Sequence, residues 1–251
     1  MSSLDGSVTL ITGGGSGIGL ALVDAFLAAG ARVVAVDASA ERLAALADRI
    51  GAPEALATIA TDITDPDAPQ AMLAGAAARF GPADIICNNA GILDRMAPLD
   101  ETDDGLWEHV LAVNLTAPLR LTRAALPAML ARGQGIFVNT ASIASFQGGR
   151  AGLSYTVTKH GLLGLTRSVA AAYGARGIRC NAVAPGSVKT AIAAGVEPSA
   201  AGWELRGKGL ATRPPQADPG DIAPVAVFLA SEGARYLNGA LIVADAGWTV
   251  Y

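Results

Sequence analysis

Three side chains in the second half of the sequence have the types and the spacing needed to move a proton. Tyr155 and Lys159 lie four residues apart, which places both on one face of a helix, and Ser142 lies thirteen residues before the tyrosine. A phenol exchanges protons near neutral pH only if its pKa falls from about 10, and an ammonium about 4 Å away could lower it by about 3 units. Ser142 would hold the substrate oxygen, since no histidine or carboxylate is spaced to make it a nucleophile.

A glycine-rich run near the start of the chain predicts a binding site for a pyrophosphate. The run Thr-Gly-Gly-Gly-Ser-Gly-Ile-Gly spans residues 12–19, between a predicted strand and a predicted helix. Glycines allow close approach of the backbone, and a helix N-terminus offers free N–H groups and the positive end of its dipole. A tight turn without a ligand is the alternative, which the strand and helix disfavour. The predicted contacts are Gly13, Gly15, Ser16, Gly17, Ile18 and Gly19.

Asp37 ends the second predicted strand and suggests which dinucleotide is bound. A carboxylate at this place accepts hydrogen bonds from the ribose hydroxyls of the adenosine and repels a 2′-phosphate. Ser16 and Ala38 stand where a basic residue would neutralise that phosphate, and no arginine or lysine is in place. We therefore expect NAD rather than NADP. Asp37 could also cap the helix that follows it.

Further candidate residues follow the third and fourth predicted strands. Asp62 and Ile63 follow the third strand, where a side chain could reach the adenine, and Asn89, Ala90 and Gly91 follow the fourth. Because the carboxyl ends of parallel strands share one edge of a sheet, where ligands bind, these residues have a common reason to be polar or small. Each one alone could be an ordinary turn residue.

The elements that would position these residues alternate along the chain. Short β-branched runs predict strands at 7–12, 31–36, 56–61, 84–87, 135–140, 178–183 and 240–244. Alanine-rich stretches predict helices at about 17–29, 39–50, 66–80, 103–132, 152–175 and 220–231. The alternation predicts an α/β fold, a single Rossmann-type domain over 1–251 with a doubly wound, seven-stranded parallel sheet and helices on both faces. The stretch 186–218 lacks a clear element, which is typical of a substrate-binding loop or lid, although a passive surface loop is the alternative.

Composition excludes several classes of function. The net charge is -4 and the lysines and arginines are scattered, which argues against a nucleic-acid partner or an anionic membrane surface. No signal segment or spanning stretch is evident, so a cytoplasmic, soluble protein is expected. Cys87 and Cys180 lie in apolar runs and are expected to be buried and inert, and His109 and His160 to be structural or surface residues. No metal site is predicted.

Taken together, these motifs resemble those of the short-chain dehydrogenase/reductase family over essentially the whole chain. The resemblance implies a catalytic tetrad of Asn114, Ser142, Tyr155 and Lys159, with Tyr155 and Lys159 also at the nicotinamide ribose. It further implies a nicotinamide-binding segment after the sixth strand, with contacts from Pro185, Gly186, Val188 and Thr190. His160 and the end segment Ala-Asp-Ala-Gly-Trp depart from the usual family pattern without touching the tetrad.

The resemblance also implies an assembly, and the residues themselves suggest how its second contact is packed and where a proton path runs. A homotetramer is expected to use the helices around 103–132 and 152–175, with the C-terminal strand at a second interface where Trp248 and Tyr251 would pack. Pro118 has no N–H, so it cannot donate the helical bond to the Asn114 carbonyl. We expect that carbonyl to hold a water molecule on a path from Lys159 to solvent.

The function expected from these observations is NAD-dependent hydride transfer between the nicotinamide and a secondary alcohol or ketone, with Tyr155 as general acid and base. A reductase of 3-oxoacyl groups on an acyl carrier protein is an alternative, and it predicts NADPH and a basic docking surface. A non-catalytic sensor of NAD(H) is another, and it would be expected to lack part of the tetrad. The predicted pocket is mostly apolar, which favours an uncharged substrate of moderate size; its residues are Leu93, Asp94, Ile143, Ala144, Gln147, Leu153 and Trp203.

Overall fold

The computed structural model describes residues 4–51 and 54–250, and its centre is one sheet of seven parallel strands. The strands are β1 (Val8–Thr12), β2 (Arg32–Asp37), β3 (Leu56–Ala60), β4 (Ile85–Asn88), β5 (Gly135–Thr140), β6 (Ile178–Pro185) and β7 (Leu241–Ala244). Their order in the sheet is β3-β2-β1-β4-β5-β6-β7. The predicted fold class is confirmed, including the number and the direction of the strands.

Within the described ranges, eight α-helices connect and cover the strands. They are α1 (Gly17–Ala28), α2 (Ala40–Ile50), α3 (Ala68–Phe80), α4 (Asp104–Leu111), α5 (Ala117–Arg132), α6 (Leu153–Tyr173), α7 (Ala200–Leu210) and α8 (Pro219–Ala230). Neighbouring strand residues point to opposite faces, so Leu10 packs beneath α3 and α5 while Ile11 packs beneath α1 and α8. Both faces of the sheet are therefore buried, which explains why the strands are continuous apolar runs.

Two segments differ from the sequence prediction. The predicted helix at 103–132 is interrupted by a π-helical turn, Ala112–Thr116, which separates α4 from α5. The stretch 186–218 contains helix α7, whose first turn is capped by the Ser199 hydroxyl accepting from the N–H of Gly202 at 3.0 Å. Helix α7 has three glycines and no apolar stripe, so its sequence carries no helical periodicity.

The two ends of the segment 186–218 are joined by backbone pairing. The N–H of Lys189 donates to the Ala217 carbonyl at 2.9 Å, and the N–H of Ala217 donates to the Ser187 carbonyl at 2.9 Å. The ammonium of Lys189 also lies 3.0 Å from a carboxylate oxygen of Asp218. The two ends of the segment are therefore held side by side at the carboxyl edge of the sheet.

The described residues were also searched for membrane-spanning helices and for groups of metal ligands, neither of which the sequence predicts. None of the helices in 4–51 and 54–250 is long and apolar enough to cross a lipid bilayer. Over the same ranges, no three His, Cys, Asp or Glu side chains are grouped to hold a metal ion. Cys87 and Cys180 are both buried free thiols, and burial raises the pKa of each.

Candidate active site

The sheet order reverses between β1 and β4, and a cleft opens at the carboxyl ends of these strands. The cleft has a volume of about 500 Å³. Of the residues predicted from the sequence, all the cofactor-binding residues except Gly15 line it, together with Ser142, Tyr155 and Lys159 of the tetrad. Gly15 and Asn114 are not among the lining residues, but each bonds to a neighbouring segment: the Gly15 N–H donates to Asp37, and the Asn114 side chain accepts from the N–H of Ile92.

The glycine loop between β1 and α1 leaves room for a phosphate group. Gly13 has φ +68° and Gly17 has φ +52°, a conformation that favours glycine. A Cβ at Gly19 would collide with the Gly13 carbonyl oxygen and lie 2.6 Å from the Asn89 amide. Helix α1 begins after Ser16 with no side-chain cap and no acidic residue in its first turn. Its N–H groups therefore fit the pyrophosphate of a dinucleotide.

Asp37 is fixed at the end of β2 by two backbone donors. Its Oδ2 accepts from the N–H of Gly15 and its Oδ1 from the N–H of Ser39, each at 3.0 Å, and the residue is 7% exposed. The Ser39 hydroxyl, rather than Asp37, caps α2 by accepting from the N–H of Arg42. The expectation that no basic residue stands nearby is wrong, because the Arg42 guanidinium is 3.8 Å from the Asp37 carboxylate and lines the same cleft.

Thr12 and Thr140 hold the loop after β4 and were missed by the sequence analysis. The Thr12 hydroxyl accepts from the N–H groups of Asn89 and Ala90 at 3.0 and 3.1 Å, and the Asn89 amide donates to the Thr12 carbonyl. The Thr140 hydroxyl donates to the Asn89 side-chain oxygen at 3.1 Å. Both threonines end strands at the same edge, which is the signal that could have identified them.

Asp62 faces the cleft with its carboxylate bound to Thr64. Oδ1 accepts from the N–H and from the hydroxyl of Thr64, both at 2.8 Å, and these bonds hold the pKa of Asp62 below its usual value, with a smaller contribution from the charge of His109. His109 lines the same cleft, so the prediction of a merely structural or surface role is incomplete for it. His160 fits that prediction, since it is exposed and contacts the Thr156 carbonyl.

Lys159 is a buried ammonium held by the backbone of β5. Its Nζ donates to the Thr140 carbonyl at 2.8 Å and lies 5.4 Å from the centre of the Tyr155 ring. Burial lowers the pKa of Lys159 to about 8, because the charged form loses solvation. The cation is thus close to the phenol and close to losing its charge at neutral pH.

Tyr155 is buried beside Ser142, and the surroundings of its phenol raise the pKa to about 12. Burial is the main cause, the Asp94 carboxylate adds to it, and a hydrogen bond with Ser142 acts in the opposite direction. The expectation that Lys159 brings this pKa toward neutrality is therefore wrong for the protein chain by itself. A positive charge on a bound nicotinamide would favour the phenolate.

Asn114 clamps the loop that follows Gly91. Its Oδ1 accepts from the N–H of Ile92 and its Nδ2 donates to the Ile92 carbonyl, both at 2.9 Å, with a further bond from Nδ2 to the Thr158 hydroxyl at 3.3 Å. Asn114 lies in the π-helical turn, which ends shortly before Pro118, a residue that cannot donate an N–H. A water molecule at its carbonyl remains a prediction.

The chain is similar to known proteins in sequence and in structure. The sequence profile of a family described as enoyl-(acyl carrier protein) reductase matches residues 13–249. The 3beta-hydroxysteroid dehydrogenase 2 of Eggerthella lenta is 40% identical over 251 residues, which cover 99% of this chain and 96% of that protein. The chain belongs to the short-chain dehydrogenase/reductase family.

Two solved structures resemble this short-chain dehydrogenase/reductase along its whole length. One is a Beutenbergia cavernae protein named as an NAD(P)-dependent gluconate 5-dehydrogenase, with NADP bound at low occupancy; its TM-score is 0.86 and its identity 37%, over 99% of each chain. The other is the 3-ketoacyl-(acyl-carrier-protein) reductase of Brucella melitensis with NADH, with a TM-score of 0.88 and 27% identity, over 98% of this chain and 100% of that one. The protein is an NAD(P)-dependent oxidoreductase that acts on an alcohol or a ketone.

A small apolar cluster packs against Tyr155. It consists of the buried residues Met96, Ala144 and Ala151, with Leu93 partly buried against them, and none of these four residues lines the cleft. Of the other predicted pocket residues, Gln147 accepts from the Arg150 guanidinium at 2.7 Å, Trp203 is 52% exposed, and Asp94 is buried away from solvent.

Trp248 lies within its own chain. The indole N–H donates to the Gly209 carbonyl at 3.0 Å, the Arg150 guanidinium lies 4.8 Å from the ring, and the residue is 8% exposed. The expectation that it is buried by a second subunit is therefore wrong, and Tyr251 lies outside the described residues.

Proposed function

We propose that this enzyme is an NAD-dependent dehydrogenase of secondary alcohols that also catalyses the reverse reduction. The observation that supports the proposal best is the placement of Tyr155, Ser142 and Lys159 around one end of a cleft whose other end presents Asp37. The nicotinamide, when bound, supplies or accepts the hydride. Tyr155 exchanges the proton with the substrate oxygen, Ser142 orients that oxygen, and Lys159 stabilises the phenolate and binds the ribose.

The preference for NAD rests on Asp37. Both carboxylate oxygens accept backbone N–H bonds, so the negative charge is held in place at the end of β2, where a 2′-phosphate would approach. Arg42 weakens this argument, since its guanidinium is close enough to share the site. The test is the ratio of kcat/KM values with NAD and with NADP, and a ratio favouring NADP would overturn the assignment.

The proposed substrate is an uncharged alcohol of moderate size with a hydrophobic body. The apolar residues Ile92, Val113 and Ile192 line the cleft that also contains Tyr155, and they support a partly hydrophobic binding surface. A relative named for a 3beta-hydroxysteroid agrees with this, whereas the gluconate 5-dehydrogenase name points to a polar, charged substrate. Activity assays with a panel of cyclic hydrophobic alcohols, polyols and hydroxy acids distinguish a hydrophobic substrate from a polar, charged one. Preferential oxidation of the hydroxy acids would refute the proposal.

Reduction of 3-oxoacyl groups on an acyl carrier protein is the second candidate. The structural similarity to such a reductase supports it. NADPH preference together with faster reduction of the carrier-bound than of the free substrate would favour this candidate. Tight NADH binding without turnover of any alcohol or ketone would instead favour a sensor of NAD(H).

We further propose a homotetramer that uses α5 and α6. Leu119 on α5 and Val157 on α6 are 39% and 40% exposed, and contact with another subunit would remove this apolar surface from water. Sedimentation equilibrium of the wild type and of a Leu119→Lys, Val157→Lys double variant tests the interface. An unchanged assembly in the variant would exclude these helices.

A further inference from the structure

Asp94 follows β4 and is a buried carboxylate bonded only to backbone N–H groups in the described structure. It is 1% exposed. Its Oδ1 accepts from the N–H groups of Met96 and Gly152, each at 3.1 Å, and its Oδ2 accepts from the N–H of Tyr155 at 2.9 Å. Among residues 4–51 and 54–250, no lysine, arginine or histidine forms an ion pair with it. Burying such a charge costs free energy. We therefore expect its hydrogen bonds to stabilise the segments that donate them.

One partner of Asp94 is the first turn of the helix that carries the reacting residues. Helix α6 starts after Gly152, which has no side chain to cap it, and Tyr155 lies in the first turn. The Asp94 carboxylate therefore caps α6 from a distant part of the chain, where the helix dipole favours a negative charge. A Cβ at Gly152 would lie 2.5 Å from Asp94 Oδ2, so the carboxylate presses directly against the start of the helix.

The other partner is the turn against which the lid helix rests. Met96 has φ +56°, a left-handed conformation that is unfavourable for methionine, and the bond from its N–H to Asp94 holds it there. A Cβ at Gly202 of α7 would lie 2.7 Å from the Met96 carbonyl oxygen, so α7 packs closely on this turn. The same carboxylate thus holds both the catalytic helix and the support of the lid.

We propose that Asp94 is a positioning residue for proton transfer at Tyr155, fixing the phenol relative to Lys159 and to the substrate cleft beneath the lid. The inference rests on the proposed role of Tyr155 as general acid and base. Three groups act on the phenol: Asp94 from the loop after β4, Lys159 from α6, and Ser142 from the end of β5. The charge of Asp94 favours the protonated phenol, which delays ionisation until the positively charged nicotinamide arrives.

The variant Asp94→Asn tests the proposal, since it keeps the shape, removes the charge and places an amide group among N–H donors. We expect kcat to fall about tenfold or more, the Kd of NADH to stay unchanged, and the ascending limb of the pH profile of alcohol oxidation to move to lower pH. The matched control is Asp103→Ala, which removes the side-chain cap of α4, a 2.8 Å bond from the N–H of Leu106. The control is expected to lower Tm without moving the limb.

If the ascending limb of the pH profile lies at the same pH in Asp94→Asn as in the wild type, the proposal is overturned, even if Tm falls. Asp94→Glu keeps the charge but needs space that the contact with Gly152 does not leave, so it should lower kcat without moving the limb. If Asp94→Asn does not fold, wild-type kcat in Asp94→Glu would overturn the proposal instead. The pKa of Tyr155 can also be compared between the wild type and Asp94→Asn without turnover. The measurement is ultraviolet titration of the phenolate in the absence of substrate, with Tyr155→Phe as the blank. A shift seen there in an enzyme that oxidises no alcohol would refute the proposed function and leave the Asp94 effect standing.

Discussion

The ammonium of Lys159 donates to the carbonyl oxygen of Thr140 at 2.8 Å, so a buried cation is held by the end of a strand and not by a carboxylate. A carbonyl offers only a partial negative charge, and the burial of Lys159 consequently dominates and lowers its pKa to about 8. The charge that assists the phenol is therefore sensitive to pH in the range where such enzymes are assayed.

The titration of Lys159 predicts a dependence of stability on pH. Its pKa is about 8 in the folded protein and 10.5 ordinarily, so the unfolded chain binds more protons between these values. The free energy of unfolding should rise as the pH increases from about 8 to about 10.5, by at most about 3 kcal/mol from this group. Urea unfolding across this range, with Lys159→Met as reference, measures it; an equal rise in the variant would assign the effect to other groups.

Loss of the Tyr155 hydroxyl is expected to abolish proton transfer and to leave cofactor binding intact. Tyr155→Phe should lower kcat by about 10²- to 10⁴-fold because no other described group replaces the proton donor. The Kd of NADH, measured by fluorescence, should stay within about twofold. The control is Tyr236→Phe, since Tyr236 is 99% exposed. Retention of wild-type kcat in Tyr155→Phe would show that another group transfers the proton.

Replacement of Asp37 is expected to open the site to NADP. Asp37→Ser removes the charge that repels a 2′-phosphate, and Arg42 would then be free to pair with that phosphate. The ratio of kcat/KM for NADP to that for NAD should increase at least tenfold, which corresponds to about 1.4 kcal/mol. Adding Arg42→Ala should reverse most of the increase. If the double variant keeps the whole increase, Arg42 has no part in it.

Gly19 is expected to tolerate no side chain. In Gly19→Ala the methyl group would collide with the Gly13 carbonyl and approach the Asn89 amide, which disturbs the glycine loop and the loop after β4 together. NADH binding should weaken at least tenfold, measured by fluorescence titration. Gly207→Ala is the control, because a Cβ at Gly207 in α7 meets no atom within 4 Å. Normal NADH binding by Gly19→Ala would show that the loop adjusts at little cost.

The sequence was sufficient for features that depend on short-range pattern. The strand runs, the glycine loop and the four-residue spacing of Tyr155 and Lys159 are all local, and local pattern determines which residues reach the carboxyl edge of the sheet. The interruption at Ala112–Thr116 and the helix α7 were not predicted, since the first lies inside a continuous apolar periodicity and the second has none.

The sequence analysis missed mainly contacts between residues that are distant along the chain. Arg42 on α2 reaches the carboxylate of Asp37 at the end of β2, and His109 on α4 lines the cleft and acts on the charge of Asp62. The role of Asp94 depends on bonds to residues 58 and 61 positions away. The pKa of Tyr155 was mispredicted because a sequence contains the charges but not the burial that opposes them.

The backbone pairing of Val188 with Ala217 brings the two ends of the segment 186–218 together. Residues 191–216 could be exchanged for those of another family member without breaking the sheet, provided that the contact between Gly202 and Met96 is kept. If this segment binds the substrate as expected from the sequence, exchange of one contiguous stretch of gene would change substrate choice while the chemistry stays constant. Laboratory recombination at the same two positions would follow that route.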